Sequence, residues 1–266
     1  MLTYRERGLD QKDKGTTGHA VLLLHAFPLS AEMWEPQLDM LTKNGYVALA
    51  PNVYGVDGSP SRKAWTFCDY ADELAQLLQQ LGIATVTVVG LSMGGYQAFE
   101  LWKRHPEQVA SLVLCDTRAE SDTPQATQNR QEFMKAVRDK GAVEAVRRML
   151  PQVFREGAER SREEELFSSM VMQQSGEAIA ETMAAIAGRT DSTPILETVT
   201  CPTTIITGTG DRLTPPNLAE SMHRAIPHAE NLQLDNAGHL SNMEQPEAFN
   251  RLLLSHLGKL RLRDLG

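Results

Sequence analysis

Short apolar segments rich in β-branched residues recur along this chain, with longer amphipathic segments between them. They predict six strands, at Ala20–Leu24, Val47–Ala50, Thr85–Val89, Ser111–Leu114, Thr203–Thr207 and Asn231–Leu234. Their apolar character is nearly continuous rather than alternating, which is typical of parallel strands covered on both faces. The amphipathic segments predict connecting helices at Cys68–Leu81, Tyr96–His105, Pro216–Ala225 and Pro246–Leu257. This alternation predicts a three-layer α/β fold with right-handed crossovers.

One long segment interrupts the alternation. Between about Ala119 and Pro194 there is no convincing strand, and helical periodicity recurs at Arg130–Lys140, Val143–Met149 and Gly176–Ile186. Helices inserted between two strands are expected to cover the carboxyl edge of the sheet, where open α/β sheets bind ligands. We therefore expect residues 1–118 and 195–266 to form the core and residues 119–194 to form an inserted helical cap. The alternative is an independent helical domain.

Composition narrows the class of protein further. With 266 residues, 41% of them hydrophobic and 23% charged, the chain is typical of a soluble globular protein. Its net charge of −8 argues against nucleic acid or an anionic membrane as partner, because both favour a basic surface. Three cysteines without a CxxC pair fit a reducing compartment and argue against disulfides or a zinc site. No signal peptide or membrane span is evident, so we expect a cytoplasmic protein.

The strongest local signal is the pentapeptide Gly90-Leu91-Ser92-Met93-Gly94, which stands between a predicted strand and a predicted helix. This is the G-x-S-x-G pattern in the strand–turn–helix context of a nucleophile elbow. Glycines flank the serine because backbone segments approach closely at such a turn. The helix N-terminus behind it offers unpaired N–H groups that suit an oxyanion. Ser92 is thus the candidate nucleophile; the alternative is an incidental serine in a glycine-rich turn.

A serine hydroxyl is a poor nucleophile without a neighbouring base. His239 follows the last predicted strand, where a loop can carry it over the sheet edge, and the other six histidines fit this role less well. Asp211, after the strand Thr203–Thr207, is the candidate acid that orients the histidine. Asp116, after the preceding strand, is the alternative acid. The order Ser92, Asp211, His239 is the order expected with a nucleophile elbow.

A tetrahedral intermediate at Ser92 needs two N–H donors. One is expected from the backbone of Met93, the residue after the nucleophile. The other is expected from the loop after the strand Ala20–Leu24, at Phe27, because Pro28 has no N–H. His25 in the same loop is interpreted as a residue that fixes the loop rather than as a base.

With these residues in place, the sequence resembles the α/β-hydrolase superfamily over nearly its whole length. Within it, the chain is most similar to the capped carboxylesterase, 3-oxoadipate enol-lactonase and non-haem haloperoxidase-like group. The similarity rests on the segment Leu22–Leu29 with Met33-Trp34, and on the segment Leu114–Glu120 with Thr123-Pro124. The resemblance implies a mostly parallel sheet with helices on both faces and an inserted helical cap. It also implies that Phe27 and Met93 supply the oxyanion N–H groups.

Two segments depart from the pattern of that group. The group usually has His-Gly where this chain has His25-Ala26. It usually has Asp-x-x-Gly-x-Gly-x-Ser where this chain has Asn52-Val53-Tyr54-Gly55-Val56-Asp57-Gly58-Ser59. The second segment borders the acyl side of the expected site, so close relatives say less about the substrate than about the triad.

These residues predict a serine hydrolase that cleaves small to medium acyl or aryl esters through an acyl-enzyme. The expected partner is a small-molecule ester or lactone, no metal or organic cofactor is expected, and the chain could be a monomer or a homodimer. An enol-lactonase or a C–C bond hydrolase would use the same triad. A perhydrolase or haloperoxidase-like side activity, and a ligand receptor with vestigial turnover, are further alternatives.

The expected cap is rich in methionine and phenylalanine, which suit an apolar pocket. Packing between the cap and the core is the more common role for such side chains. As substrate-binding residues we predict Trp34, Met134, Phe154, Leu213 and Leu240.

Overall fold

Seven strands form one sheet in the computed structural model, which describes residues 1–9, 18–157 and 161–263. The strands are β1 (Tyr4–Arg7), β2 (His19–Leu24), β3 (Ala48–Pro51), β4 (Thr85–Leu91), β5 (Val109–Cys115), β6 (Thr203–Gly208) and β7 (Glu230–Leu234). Their order across the sheet is β1-β3-β2-β4-β5-β6-β7. All neighbours are parallel except β1, which runs antiparallel to β3. The six strands predicted from the sequence are confirmed, and the sheet is mostly parallel as expected.

Ten α-helices lie in the described residues. They are α1 (Glu35–Lys43), α2 (Phe67–Gln80), α3 (Met93–Arg104), α4 (Pro124–Lys140), α5 (Ala142–Val153), α6 (Ser161–Met172), α7 (Gly176–Ala187), α8 (Pro216–Ala225), α9 (Ser241–Glu244) and α10 (Pro246–Arg263). The chain moves toward one sheet edge from β2 to β3 and toward the other edge from β3 to β4 and β5. Right-handed crossovers therefore place α1 on one face and α2, α3 and α8 on the opposite face. Consistent with this, α1 packs against α10 and α2 packs against α3.

The edge strand β1 was not predicted, because its sequence Tyr-Arg-Glu-Arg is polar. All four of its residues are half-buried, and the strand pairs with β3 through its backbone. Both of its arginines form ion pairs with Glu35 at the start of α1, with N–O distances of 2.6 Å from Arg5 and 2.8 Å from Arg7. Pairing and charge, rather than an apolar face, hold this strand at the edge of the sheet.

The helices α4 to α7 lie between β5 and β6 in the chain, and the described residues of this segment form no strand. Hydrogen bonds join the segment to the core: the N–H of Leu240 donates to the carbonyl of Val153 (3.1 Å), and the Gln174 amide donates to the carbonyl of Pro28 (2.6 Å). We propose that residues 119–194 form a cap on a core of residues 1–118 and 195–266, and we call residues 119–194 the helical insertion. Within the described residues, every helix is too short or too polar to cross a lipid bilayer.

A capping box fixes the start of α2, the helix that packs against α3. The hydroxyl of Thr66 accepts from the N–H of Asp69 (3.1 Å), and the carboxylate of Asp69 accepts from the N–H of Thr66 (2.8 Å). Both interactions satisfy backbone donors that a helix terminus leaves unpaired.

We expect Thr66→Ala to lower the free energy of unfolding by about 1 kcal/mol, because the N–H of Asp69 loses its acceptor. Equilibrium unfolding in urea measures this difference. Thr66→Ser keeps the hydroxyl and serves as the matched control, so it should stay near the wild type. Equal stabilities of the alanine and serine variants would show that the cap contributes nothing.

Candidate active site

Ser92 occupies a sharp turn between β4 and α3. Its φ of 55° and ψ of −111° lie outside the regions that residues with a side chain usually adopt. The flanking glycines make the turn possible. A Cβ atom on Gly90 would lie 2.3 Å from the carbonyl oxygen of Gly94, and one on Gly94 would lie 2.1 Å from the carbonyl oxygen of Leu24. The turn therefore requires glycine at both positions and holds Ser92 above the carboxyl edge of the sheet.

Two loops bring His239 and Asp211 to the same edge. His239 follows β7, and its Nε2 atom lies 2.7 Å from the Oγ atom of Ser92. Asp211 follows β6, and its Oδ2 atom lies 2.9 Å from Nδ1 of His239. The structure thus joins the three residues in one hydrogen-bonded chain, with the imidazole between the hydroxyl and the carboxylate. His239 and Asp211 are both buried.

The carboxylate of Asp211 is held by the turn that follows it. Its Oδ1 atom accepts from the N–H groups of Leu213 (2.8 Å) and Thr214 (3.0 Å), and the Thr214 hydroxyl donates to Oδ2. Burial opposes ionisation, but the charge of His239 and the hydrogen bonds from His239 and Thr214 outweigh it. Together they lower the pKa of Asp211 to about 2.

The same environment favours the protonated form of His239. Burial alone would lower the pKa of its imidazole, because a buried cation loses its hydration. The charge of Asp211 and the hydrogen bond to it act in the opposite direction and raise the pKa above its ordinary value. The site is therefore arranged to stabilise an imidazolium at this position.

Asp116, the alternative acid, has other partners. Its Oδ1 atom accepts from the N–H of Gly208 (2.8 Å), and the Ser241 hydroxyl donates to Oδ2. It therefore links the ends of β5 and β6 to the start of α9. Burial, and then the negative charge of Asp211, raise the pKa of Asp116 to about 8. The hydrogen bond from Nδ1 of His239 is accepted by Asp211 and not by Asp116.

The loop after β2 places Phe27 beside Ser92. Within the described residues, the backbone N–H groups of Phe27 and Met93 have no hydrogen-bond partner. His25 fixes this loop. Its Nε2 atom accepts from the N–H of Val53 (3.2 Å), so its Nδ1 atom donates to the carbonyl of Ala26 (3.0 Å). Burial lowers the pKa of His25 to about 4, which keeps it neutral and in this tautomer.

A cavity of about 160 Å³ lies over Ser92, between the sheet edge and the helical insertion. The core contributes Phe27, Ser92, Met93, Tyr96, Leu213, Thr214 and His239. The insertion and the loop before it contribute Arg118, Arg130, Met149, Met183 and Ile186. A cavity of this volume accommodates a ligand about as large as benzene.

Comparison with known proteins agrees with this geometry. The sequence profile described as alpha/beta hydrolase fold matches residues 19–246. The chain belongs to the α/β-hydrolase fold family.

Three relatives illustrate the range of the family around this hydrolase. An esterase from Thermogutta terrifontis, solved with malate bound, is 33% identical, with a TM-score of 0.90 over 97% of this chain and 93% of its own. The enol-lactonase from Burkholderia xenovorans LB400 is 26% identical, with a TM-score of 0.84 over 97% and 96%. A Mycobacterium tuberculosis protein named as the non-heme bromoperoxidase BpoC is 28% identical over 94% of this chain and 97% of its own length.

The cavity lining contains one of the five predicted substrate-binding residues. Leu213 lines the cavity of this hydrolase, whereas the lining does not include Trp34, Met134, Phe154 or Leu240. Leu240 is fully buried, and Met134 packs against the hydrophobic core. Large apolar side chains gain more from complete burial than from a place on a cavity wall.

The two aromatic residues among these predictions have ring partners elsewhere. The ring of Trp34 packs against Phe249 on α10, at a centroid distance of 6.0 Å. The ring of Phe154 packs edge-on against Phe167 on α6, at 6.1 Å. Both aromatic residues stabilise the interior of the molecule.

Sequence reasoning missed the polar part of the cavity. Arg118 follows β5, and Arg130 lies on α4. Two arginines in a segment of mixed charge carry no local signal that they face a cavity, because their position depends on how the insertion packs. Among the described residues, no group of three His, Cys, Asp or Glu side chains is placed to hold a metal ion.

The raised pKa of His239 is testable without an enzyme assay. We expect Asp211→Asn to lower this pKa, because burial continues to disfavour the imidazolium while the opposing charge is lost. NMR titration of the imidazole measures the change, and His239→Gln assigns the signal. In Asp116→Asn the decrease should be smaller, because that carboxyl has no hydrogen bond to the imidazole. An unchanged pKa in Asp211→Asn would contradict this electrostatic account.

Proposed function

We propose that this α/β hydrolase cleaves small carboxylic esters through an acyl-enzyme on Ser92. The observation that supports this most directly is the hydrogen-bonded chain from Asp211 through His239 to Ser92, with distances of 2.9 Å and 2.7 Å. It ends at a hydroxyl that lines a cavity. A nucleophile and a base within hydrogen-bond reach, with the base oriented by a third group, is the arrangement that nucleophilic acyl transfer needs.

In the first step, Nε2 of His239 takes the proton of Ser92 while Oγ attacks the carbonyl carbon of the ester. A C–O bond forms, and the carbonyl oxygen becomes an oxyanion. The N–H groups of Phe27 and Met93 donate to this oxyanion, and each such donor typically contributes roughly 2.7–4 kcal/mol of transition-state stabilisation. The bond to the alcohol then breaks, and the alcohol leaves with the proton from His239.

In the second step, water replaces the alcohol. His239 takes a proton from the water, whose oxygen attacks the acyl carbon, and collapse of the intermediate returns the proton to Ser92. Each step passes through a positively charged imidazole, which the carboxylate of Asp211 stabilises. The pKa of Asp211, lowered to about 2, keeps this carboxylate ionised across the working range of the histidine.

Two of the three relatives described above have names that fit ester cleavage. The Thermogutta terrifontis protein is named as an esterase, and the Burkholderia xenovorans protein as an enol-lactonase. Both names describe hydrolysis of a carboxylic ester bond, which in a lactone is internal. The small cavity favours short acyl groups. A cytoplasmic location stays a prediction from the cysteine content.

We expect Ser92→Ala to reduce kcat for p-nitrophenyl acetate by at least about a thousandfold, since no acyl-enzyme forms without the nucleophile of the first step. Steady-state kinetics measures the loss. Mass spectrometry after treatment with diethyl p-nitrophenyl phosphate should show one diethylphosphoryl group on the wild type and none on the variant. Ser221→Ala, at a half-buried serine on α8 that does not line the cavity, is the matched control. Equal activity in Ser92→Ala and the wild type would refute the proposed nucleophile.

The cavity also predicts a limit on acyl length. We expect kcat/KM for p-nitrophenyl octanoate to be at least about tenfold below that for the acetate, because the longer chain has no space without displacing the lining side chains. Met149→Ala shortens a side chain of the cavity wall and enlarges the cavity, so the difference in kcat/KM between the acetate and the octanoate should decrease. Met172→Ala, at an exposed methionine on α6, should leave it unchanged. A wild type that prefers the octanoate would contradict the assignment of this cavity as the acyl site.

A further inference from the structure

Two positively charged side chains face the cavity that holds Ser92. Arg118 and Arg130 both belong to its lining, and their side chains are 24% and 22% exposed. The other wall residues are largely apolar, among them Met149, Met183 and Ile186. A neutral, apolar ester would gain little from guanidinium groups on this wall. The partial desolvation of these two guanidinium groups is costly unless a ligand with negative charge compensates it.

The charges around this wall do not balance. Asp122 accepts hydrogen bonds from Arg118 (2.8 Å), from Arg130, and from Arg189 (2.9 Å), which stacks on the ring of Tyr96. Burial opposes ionisation of Asp122, but the arginines outweigh it and lower its pKa to about 2, so one negative charge faces three positive charges. No carboxylate belongs to the lining that the described residues form. Among the described residues, the lining itself therefore carries two guanidinium groups and no carboxylate.

Several guanidinium donors also lack a good acceptor. Nε of Arg118 is buried and has no hydrogen-bond partner within the described residues. Nη1 of Arg130 donates to the thioether sulfur of Met183, at 3.2 Å, and a thioether is a weak acceptor. A buried donor without a strong acceptor is costly, especially on a charged group. An anionic oxygen in the cavity would be a stronger acceptor for Nη1 of Arg130 than this sulfur.

Asp122 also holds the two guanidinium groups in place. Because they are fixed before a ligand arrives, binding an anion costs little additional side-chain entropy. Guanidinium groups match the geometry of a carboxylate, and in about 160 Å³ a carboxylate leaves more space for the ester than a phosphate would.

We infer that the substrate carries a carboxylate in addition to the ester bond, and that Arg118 and Arg130 bind this carboxylate while Ser92 attacks the ester. The inference rests on the proposed function, because it places the second group relative to the nucleophile. The substrate class is thus short monoesters or lactones of dicarboxylic acids and related carboxylated esters. Arg118 and Arg130 determine specificity and take no part in proton transfer.

Paired substrates test this inference on the whole protein. The anionic member is monomethyl succinate or monomethyl glutarate, and the neutral member is the corresponding methyl ester with a terminal amide of the same shape. We expect kcat/KM to be at least about tenfold higher for the anionic ester, the ratio that one charge-assisted hydrogen bond provides. In Arg118→Met and in Arg130→Met this ratio should fall toward one.

Arg138→Met is the matched control. Arg138 lies on α4 with Arg130 and also pairs with carboxylates, those of Glu177 and Glu181, but it does not line the cavity. The ratio should stay at its wild-type value in this variant. A merely structural role of the cavity arginines would change both esters equally and leave the ratio unchanged. If one arginine variant fails to fold, the other variant and the wild-type ratio still decide the question.

Direct binding separates this inference from the proposed function. Calorimetry with Ser92→Ala, which should bind without turnover, is expected to show at least about tenfold tighter binding of the anionic ester than of its amide. Two results would overturn the inference. One is a wild-type kcat/KM ratio near one for both the succinate and the glutarate pair. The other is equal affinity of Ser92→Ala for the anionic ester and for its neutral, amide-containing counterpart. Serine-dependent turnover with a ratio near one would leave the proposed function intact. Absence of all turnover would contradict the proposed function, and the calorimetry would still decide whether the arginines bind a carboxylate.

Discussion

The close approach of two backbone segments determines how this site is built. The helix α3 begins so near the end of β2 that a single carbon on Gly94 would lie 2.1 Å from the carbonyl oxygen of Leu24. This contact fixes the first turn of α3, and with it Ser92 and the N–H of Met93, against the loop that holds Phe27. The relative positions of the hydroxyl and the two N–H donors thus follow from backbone packing. Flexible side chains play little part in setting them.

The parallel sheet brings the histidine and the two aspartates of the site together. Because the carboxyl ends of its strands share one edge, loops far apart in the chain meet there, and two buried carboxylates lie near one imidazole. The surroundings of the two carboxyl groups give them different pKa values. Asp211 receives two N–H donors and a hydroxyl and faces the imidazole, so it stays ionised. Asp116 is fully buried, and its burial and the nearby negative charge of Asp211 raise its pKa. Its carboxyl group instead connects the ends of β5 and β6 through the N–H of Gly208.

Local sequence patterns predicted the strands, the nucleophile turn and the residues that meet at the sheet edge, since each depends on a few neighbouring residues. Patterns failed where long-range packing decides. The strand Tyr4–Arg7 has no apolar face and depends on β3 and Glu35. Trp34 and Phe154 have the chemistry of pocket residues, but the ring of Phe249, far along the chain, packs on Trp34, and the ring of Phe167, on the following helix, packs on Phe154. Arg118 lies in the loop after β5 and Arg130 on α4, and both line the cavity because of how these segments pack around Ser92, which no local pattern encodes.

The backbone conformation of Ser92 affects which substitutions such chains can accumulate. A φ of 55° and a ψ of −111° suit glycine far better than a residue with a side chain, and such positions typically cost about 1–3 kcal/mol. The proposed nucleophile therefore occupies a position where the backbone favours glycine. In a lineage that lost the need for chemistry, replacement of this residue by glycine would be favoured by stability alone. Under the proposed function, activity requires serine at this residue, whereas folding favours glycine.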